Sequence, residues 1–494
     1  MHTRRLFAGV MITGMAACNT PDFVHAPRFW NDQGLSDWAT PVAGLNVRPA
    51  HFSEREYYAA PHAEWVRTYP VYFPGREPAG YWDDIRARKP EPLIAPGART
   101  TADWISAGKQ VFEEMDVPAF RSTDPALIAV MRSAEEFTKR GGHAMNNGRV
   151  KGLRWVPTSK GLALSLTDCA TCHTRIMPDG SLLSGAPFND PGNGVLAQLV
   201  GLGNEVFFPG EKIGQVNWRS FGVPWIDDDI HAGLKTMTDE ESNALFFAAI
   251  PGTFARFNGS PYYITKVPDL VGIRDRKYID HTATHQHRGP ADIMRYMSLV
   301  SCCDTAEFGS HHLLTDAQRT IPYRFPDELG FALVQYLYSL EPPPNPNPRD
   351  AHAVAGQEIF DRERCATCHT PPLYTNNKLT PATGFVPPTN HPLAADIMSI
   401  SVDTDPALAL KTRKGTGLYK VPSLKGVWYR GLYNHDGSVA SLEEWFDPAR
   451  ERSDYTPSGF KGYKVTTRAI VGHPFGLNLS PEDRAALIAF LKTL

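Results

Sequence analysis

Beyond its first twenty residues the chain has no apolar run approaching the ~18 residues that a membrane-spanning helix needs. Charge of one sign is also lacking: 50 Lys and Arg stand against 53 Asp and Glu, a formal net charge of −3. Bulk charge therefore draws the chain neither to nucleic acid nor to anionic lipid, although a local basic patch is not excluded. With 42% hydrophobic residues the chain is neither disordered nor a multi-span membrane protein. Cysteine is scarce, seven in 494 residues, so the position of each one matters. Proline is abundant, 42 residues against an average of roughly 5%, which predicts ordered loops between short helices. The length suggests about two to four domains.

The N-terminus has the three parts of an export signal. Arg4 and Arg5 supply a basic start, Leu6–Ala17 an apolar and small-residue stretch, and Met15-Ala16-Ala17-Cys18 a small-residue cleavage site. A Cys directly after small residues resembles the lipobox of bacterial lipoproteins. The expectation is a periplasm-facing protein held to the outer membrane of a Gram-negative bacterium by a lipid on Cys18.

Four of the remaining cysteines fall in two identical segments, Cys169-Ala-Thr-Cys172-His173 and Cys365-Ala-Thr-Cys368-His369. C-x-x-C-H is the attachment signature of haem c: two thiols add to the two vinyl groups, and the adjacent His lies under the iron. One chance match is expected roughly 0.003 times from such Cys and His frequencies, so two identical ones are a signal. A zinc ribbon would lack the regular His, and a thioredoxin-like site would want a strand–helix context and no His. Two covalently bound haem c groups follow, on Cys169, Cys172 and His173 and on Cys365, Cys368 and His369. The last two cysteines, Cys302 and Cys303, are adjacent. They could form a vicinal disulfide, stay free, or bridge to another chain; a structural pair is the preferred reading.

The chain also repeats itself. Lys266-Val-Pro-Asp-Leu-Val-Gly-Ile273 matches Lys420-Val-Pro-Ser-Leu-Lys-Gly-Val427 at an offset of 154, which pairs Arg276 with Arg430 and His281 with His435. Ala107-Gly-Lys-Gln-Val-Phe112 and Ala355-Gly-Gln-Glu-Ile-Phe360 precede the two motifs, and the apolar segments 331–340 and 485–494 close the two halves. The last has Ser480 as N-cap and Pro481 at the first helical position. A helix, a C-x-x-C-H turn, a wrapping loop and a closing helix outline a cytochrome c fold. Nine residues separate Gly356 from Cys365, but sixty-one separate Gly108 from Cys169. The expected fold is therefore mainly α: two tandem cytochrome c-type haem domains with long loops, the N-terminal one elaborated by insertions. The expected divisions are a signal peptide (1–18), an extension (19–95), a first haem domain (96–341), a Pro-rich linker (342–348) acting as a stiff spacer, and a second haem domain (349–494).

These residues resemble the bacterial di-haem cytochrome c peroxidases and the related MauG enzymes. The segment from Lys420-Val-Pro-Ser-Leu through Tyr433-Asn-His-Asp-Gly-Ser438 to Leu442-Glu-Glu-Trp-Phe446 is similar to that superfamily's second-domain signature. The 196-residue separation of the motifs, the stretch Asp275–Arg288 and Gly472-His-Pro-Phe-Gly476 look most like its rubber-oxygenase (RoxA-like) branch. The resemblance covers roughly residues 100–494. It implies a five-coordinate, reactive first haem and a six-coordinate, electron-relaying second one. The peroxidases carry a distal Met just before His-Asp-Gly, where this chain has Asn434. His473 is the preferred distal ligand of the second haem, with Met398, His435 and Tyr433 as alternatives. The metal ligands are thus His173, His369 and His473.

If position 434 faces the distal side of the second haem, the repeat places Asp280, with Ile279 and His281, at the first. Asp280 and His281 are the catalytic candidates, Asp280 as a general acid/base or else as a cap. His281, His285 and His287 could hold a haem propionate, with Arg288, or a metal; structural hydrogen bonding is the plainer reading. Eleven aromatic residues between 207 and 263 read mostly as core, with Trp218 or Trp225 as possible electron relays. Calcium between the domains stays open.

Three functions compete. One is peroxide activation at the first haem, with electrons from a small redox protein or a small-molecule donor passing through the second. Another is dioxygen attack on an apolar alkene, as in the rubber oxygenases. The third is a non-catalytic electron-transfer lipoprotein with Met294, Met297 or a His of the 281–287 cluster closing the first haem. The broad reading is a di-haem oxidoreductase acting on peroxide or dioxygen, with no nucleic-acid partner.

Overall fold

The computed structural model describes residues 24–97, 99–139, 147–190, 210–255, 259–304 and 307–494. The signal peptide, Cys18, Phe207, Phe208 and Phe257 lie outside the described residues. Among the described residues no helix is long and apolar enough to cross a membrane.

Two helix crossings organise the chain, one in each half. Thr101–Glu114 packs on Asp327–Tyr338, and Ala351–Arg362 packs on Pro481–Lys492. The two contacts are alike in detail. A Cβ on Gly108 would collide with the Ala332 carbonyl and Tyr336, and one on Gly356 with the Ala486 carbonyl and Phe490. One turn later Phe112 packs on Tyr336 (ring centres 5.5 Å apart) and Phe360 on Phe490 (5.3 Å). Only glycine lets the backbones approach this closely. The closing helix starts as its sequence predicts: Ser480 accepts from the Asp483 N–H, with Pro481 following.

The expectation of a mainly α chain needs correction. Helix makes up 33% and strand 13%. The largest sheet has three antiparallel strands, in the order Tyr69–Tyr72, Arg149–Thr158, Gly161–Leu166. Its last two strands form a hairpin inside the long segment between Gly108 and Cys169. Tertiary pairing with the early strand supplies a partner that helical periodicity could not reveal.

Residues 24–95 pack along the first half. Val24 bridges Arg99, Ala39 bridges His285, and Trp30, Trp38, Tyr57 and Trp65 join the largest core, with Trp104 and Phe331. The Ala43 N–H also reaches the Gly415 carbonyl, in the second half.

The two halves interlock through the repeat. The Lys266 N–H donates to the His435 carbonyl (2.8 Å), and the Lys420 N–H donates to the His281 carbonyl (3.0 Å). The matching turns share a left-handed glycine, Gly272 (φ 71°) and Gly426 (φ 75°). The Asp280 carboxylate accepts from the Thr284 N–H, and at the equivalent loop position Asn434 Nδ2 donates to Ser438 Oγ. The sequence repeat is thus an approximate twofold relation in space.

Candidate functional site

The second C-x-x-C-H motif begins with a single 3-10 turn, Cys365–Thr367, entered through Arg364 at φ 59°. The His369 N–H donates to the Cys365 carbonyl at 2.9 Å, so the ring follows the two thiols on one tight turn. His369 Nδ1 lies 3.2 Å from the Tyr374 carbonyl and 3.1 Å from that of Pro422. Both partners are acceptors, so Nδ1 carries the proton and Nε2 is the basic nitrogen. Burial lowers the His369 pKa to about 4, keeping the ring neutral. Burial raises the thiols, Cys365 to about 11.

Across from His369 stands His473, with ring centres 6.4 Å apart and planes at 51°. Its loop is held from several sides. Gly472 (φ 88°) lies against the backbone of Asp403 and Thr404, where any Cβ would clash. The His473 N–H donates to the Val402 carbonyl at 2.6 Å. Arg450, with no exposed surface, donates to the carbonyls of Gly472 (2.8 Å) and His473 (3.1 Å) and to that of Ile470. Trp445 and Phe475 flank the ring. Burial, then the neighbouring His369 and Arg450, lower its pKa to about 3. Its Nδ1 is buried with no hydrogen bond.

Between the two imidazoles lies a cavity of about 450 Å³. Cys365, Cys368 and His369 stand on one wall and His473 on another, with Leu424, Val427, Leu442, Phe446 and Leu487 as apolar lining. A metal bonded to an imidazole nitrogen on each side at ~2 Å leaves the ring centres on the order of 6 Å apart. The donor set, the ring separation and the apolar walls fit a haem.

Of the alternative ligands, Tyr433 and His435 also line the cavity: Tyr433 donates its hydroxyl to the Val427 carbonyl, and the His435 ring lies 4.8 Å from that of Tyr419 at 34°, while Met398 Sδ accepts from Asn376.

The first motif forms one helical turn, Cys169–Cys172. The His173 carbonyl accepts from the Gly185 N–H and that of Cys172 from Phe188, while the His173 N–H donates to Cys169. Burial lowers the His173 pKa to about 4; the Pro268 carbonyl opposes this and Arg276 adds to it. Pro268 and Pro422 occupy the same place in the Lys-Val-Pro repeat, so the two imidazoles have equivalent backbone neighbours. Among the described residues no imidazole stands across from His173 as His473 does from His369.

The other candidates are distributed as follows. Asp280 is buried; its free carboxylate oxygen has no hydrogen bond and lies 3.6 Å from His285 Nδ1. His281 lines the second cavity, with Nε2 on the Lys266 carbonyl at 2.8 Å. His287 is structural, bridging the Arg276 carbonyl and the Tyr338 hydroxyl, and Arg288 is bound by Asp292 and Asp37. Trp225 packs on Phe308, and Trp218 packs on a different small core, that of Phe221 and Leu234. Cys302 and Cys303 are free thiols with their sulfurs 3.0 Å apart. Among the described residues no group of three or more His, Cys, Asp or Glu is placed to hold a metal ion.

Two residues at the site escaped the reading of the sequence. Lys266 and Lys420 both line the second cavity. The signal was present, since each begins a copy of the repeat, but a repeat announces structure before it announces chemistry.

No family model matches the chain, and no curated protein matches it in sequence. Among solved structures, hydrazine synthase from Kuenenia stuttgartiensis is similar over 59% of this chain and 91% of its own, at 14% identity and a TM-score of 0.28. A MauG-like protein associated with microbial copper homeostasis is similar over 59% of this chain and 88% of its own, at 18% identity and a TM-score of 0.30. Neither similarity is close enough to assign a family.

Proposed function

We propose that the chain is a di-haem c-type oxidoreductase in which an open first haem activates peroxide or dioxygen and a six-coordinate second haem relays electrons. The supporting observation is the pair of imidazoles at the second motif: His369 has His473 6.4 Å away, and among the described residues no imidazole packs on the ring of His173 in this way.

Cys169, Cys172 and His173 hold the first haem, and Cys365, Cys368, His369 and His473 the second. A haem supplies one-electron redox chemistry, and its axial ligands and distal surroundings decide between electron transfer and oxygen or peroxide chemistry. The chain's own part is mostly orientation. The Pro422 and Tyr374 carbonyls fix the tautomer and direction of His369, Arg450 fixes the loop of His473, and the apolar lining excludes water. Asp280, buried with one free oxygen beside His285, holds or moves a proton as general acid/base at the first site. Electrons come from a small redox protein or a small-molecule donor. Export and a lipid on Cys18 belong to the same proposal, because haem c is attached outside the cytoplasm.

The test is the visible and EPR spectrum of the purified holo-protein before and after hydrogen peroxide. One high-spin and one low-spin haem, with the high-spin signal lost on peroxide addition, is the expected result. An oxygen-bound ferrous spectrum unmoved by peroxide would favour an oxygenase. Two low-spin haems indifferent to both would leave only electron transfer.

A further inference from the structure

The second cavity has an unbalanced floor. Lys266, Lys420 and Arg430 all line it, and Arg276 lies half-buried beside them. Among the described residues three carboxylates act on these four cations: Asp269, 3.9 Å from Arg430 and already accepting from the Tyr429 hydroxyl and the Val271 N–H, with Asp280 acting on Lys420 and Asp275 on Arg276. Arg276 donates only to the carbonyls of Asp269 and Val271. Lys420 Nζ donates to the carbonyls of Tyr278 (3.2 Å) and Ile279 (2.9 Å). Among the described residues Lys266 has no ion pair, and its ammonium borders the cavity. Burial and the neighbouring guanidinium groups push both lysines down to about 7. Half-buried cations in excess of the carboxylates around them are costly, and proteins pair them.

The rest of the cavity defines the missing partner. Its walls are mainly apolar and its two imidazoles face each other; Glu363 and Arg364 border it as one acid and one base beside the C-x-x-C-H turn, and the excess of positive charge lies with Lys266, Lys420 and Arg430. That lining fits a flat apolar body with anionic groups at one edge.

We propose that Lys266, Lys420 and Arg430 form a carboxylate-binding floor that takes the propionate edge of the haem attached at Cys365 and Cys368. This inference rests on the haem reading above and adds the residues that neutralise the cofactor and set its potential. Lys266 comes from the first half of the chain. The first half therefore supplies charge beneath the second half's cofactor, through the strand segment whose N–H is tied to His435.

The experiment uses the holo-protein, comparing native, Lys266→Met, Lys420→Met and Lys266→Arg forms. Covalent haem is counted by haem stain and pyridine haemochrome, and the midpoint potential of the low-spin haem is measured by spectropotentiometry. Losing a cation leaves a bare carboxylate near the iron and favours the ferric state. In each Met variant the ferrous/ferric ratio at a fixed ambient potential should fall on the order of tenfold, about 59 mV for one electron. Lys266→Arg should keep the native value, which also guards against a Met variant that fails to fold. A fully loaded Lys266→Met protein with the native potential would overturn this inference alone. Absence of covalent haem from the native protein would instead overturn the haem reading. A native potential that moves with added inorganic phosphate, while that of Lys266→Met does not, would assign the floor to a free anion and overturn the propionate assignment.

Discussion

The imidazoles of His369 and His473 face each other across a cavity, 6.4 Å from centre to centre. One belongs to the C-x-x-C-H turn and is aimed by two backbone carbonyls; the other belongs to a loop pinned by a buried arginine. His473→Ala should convert the second haem from low to high spin and slow electron transfer between the haems. A low-spin EPR spectrum unchanged by the substitution would contradict the assignment.

Arg450 acts on that site through the loop. Arg450→Met leaves the carbonyls of Ile470, Gly472 and His473 without their donor. Hydrogen bonds to charged groups contribute about 1.5–3 kcal/mol each, so losing three of them should lower the denaturant unfolding free energy by about 4.5 kcal/mol or more. A mixed-spin second haem should accompany it. A native spectrum together with native stability would show that the loop holds itself.

The attachment chemistry has its own test. Cys172→Ala and Cys368→Ala should each lower the intensity of an in-gel haem stain, because each removes one of two covalent bonds at one site. Normal intensity in either variant would exclude that motif as an attachment site.

Gly108 and Gly356 should be equivalent in their intolerance of a side chain. A methyl group at either position meets a backbone carbonyl of the facing helix, and overpacking of this kind costs about 1–3 kcal/mol. Gly233, with open space around its Cβ direction, is the control. Thermal melting of the three Ala variants should lower the midpoint for Gly108 and Gly356 and leave Gly233→Ala near native.

Acid stability should depend on His51. Burial, then His285, Lys414 and Arg295, hold its pKa well below the usual value of 6.5, and Trp38 packs on its ring. Above about pH 6.5 both the folded and unfolded forms are neutral, and the group adds no pH dependence. Below it the unfolded chain takes up a proton that the folded one refuses. Stability therefore falls as pH drops, by about 1.4 kcal/mol per pH unit for one such group. His51→Asn should flatten the slope of unfolding free energy between pH 6.5 and 5; an unaltered slope would assign the acid limb elsewhere.

The residues that act as one contiguous unit were legible without coordinates. The C-x-x-C-H motifs, the Lys-Val-Pro repeat, the Gly-containing helix starts and the Ser480 cap are local patterns, whose chemistry depends on neighbours along the chain. His473 was singled out because the resemblance implies a His near the C-terminus as ligand and because Gly472 and Pro474 flank it just ahead of the closing helix, yet nothing local aims its ring at His369. The three-stranded sheet, the floor built by Lys266 and Lys420, the burial of His51 against His285 and the removal of Trp218 and Trp225 to separate cores required the tertiary structure. Each depends on segments far apart in sequence, and their register is set by which apolar faces pack and which backbone groups find partners. The sequence by itself determined where the paired thiols and the imidazoles next to them lie, because covalent spacing needs no fold. Only the tertiary structure decided what stands across from them, because opposing groups meet through packing and not through adjacency.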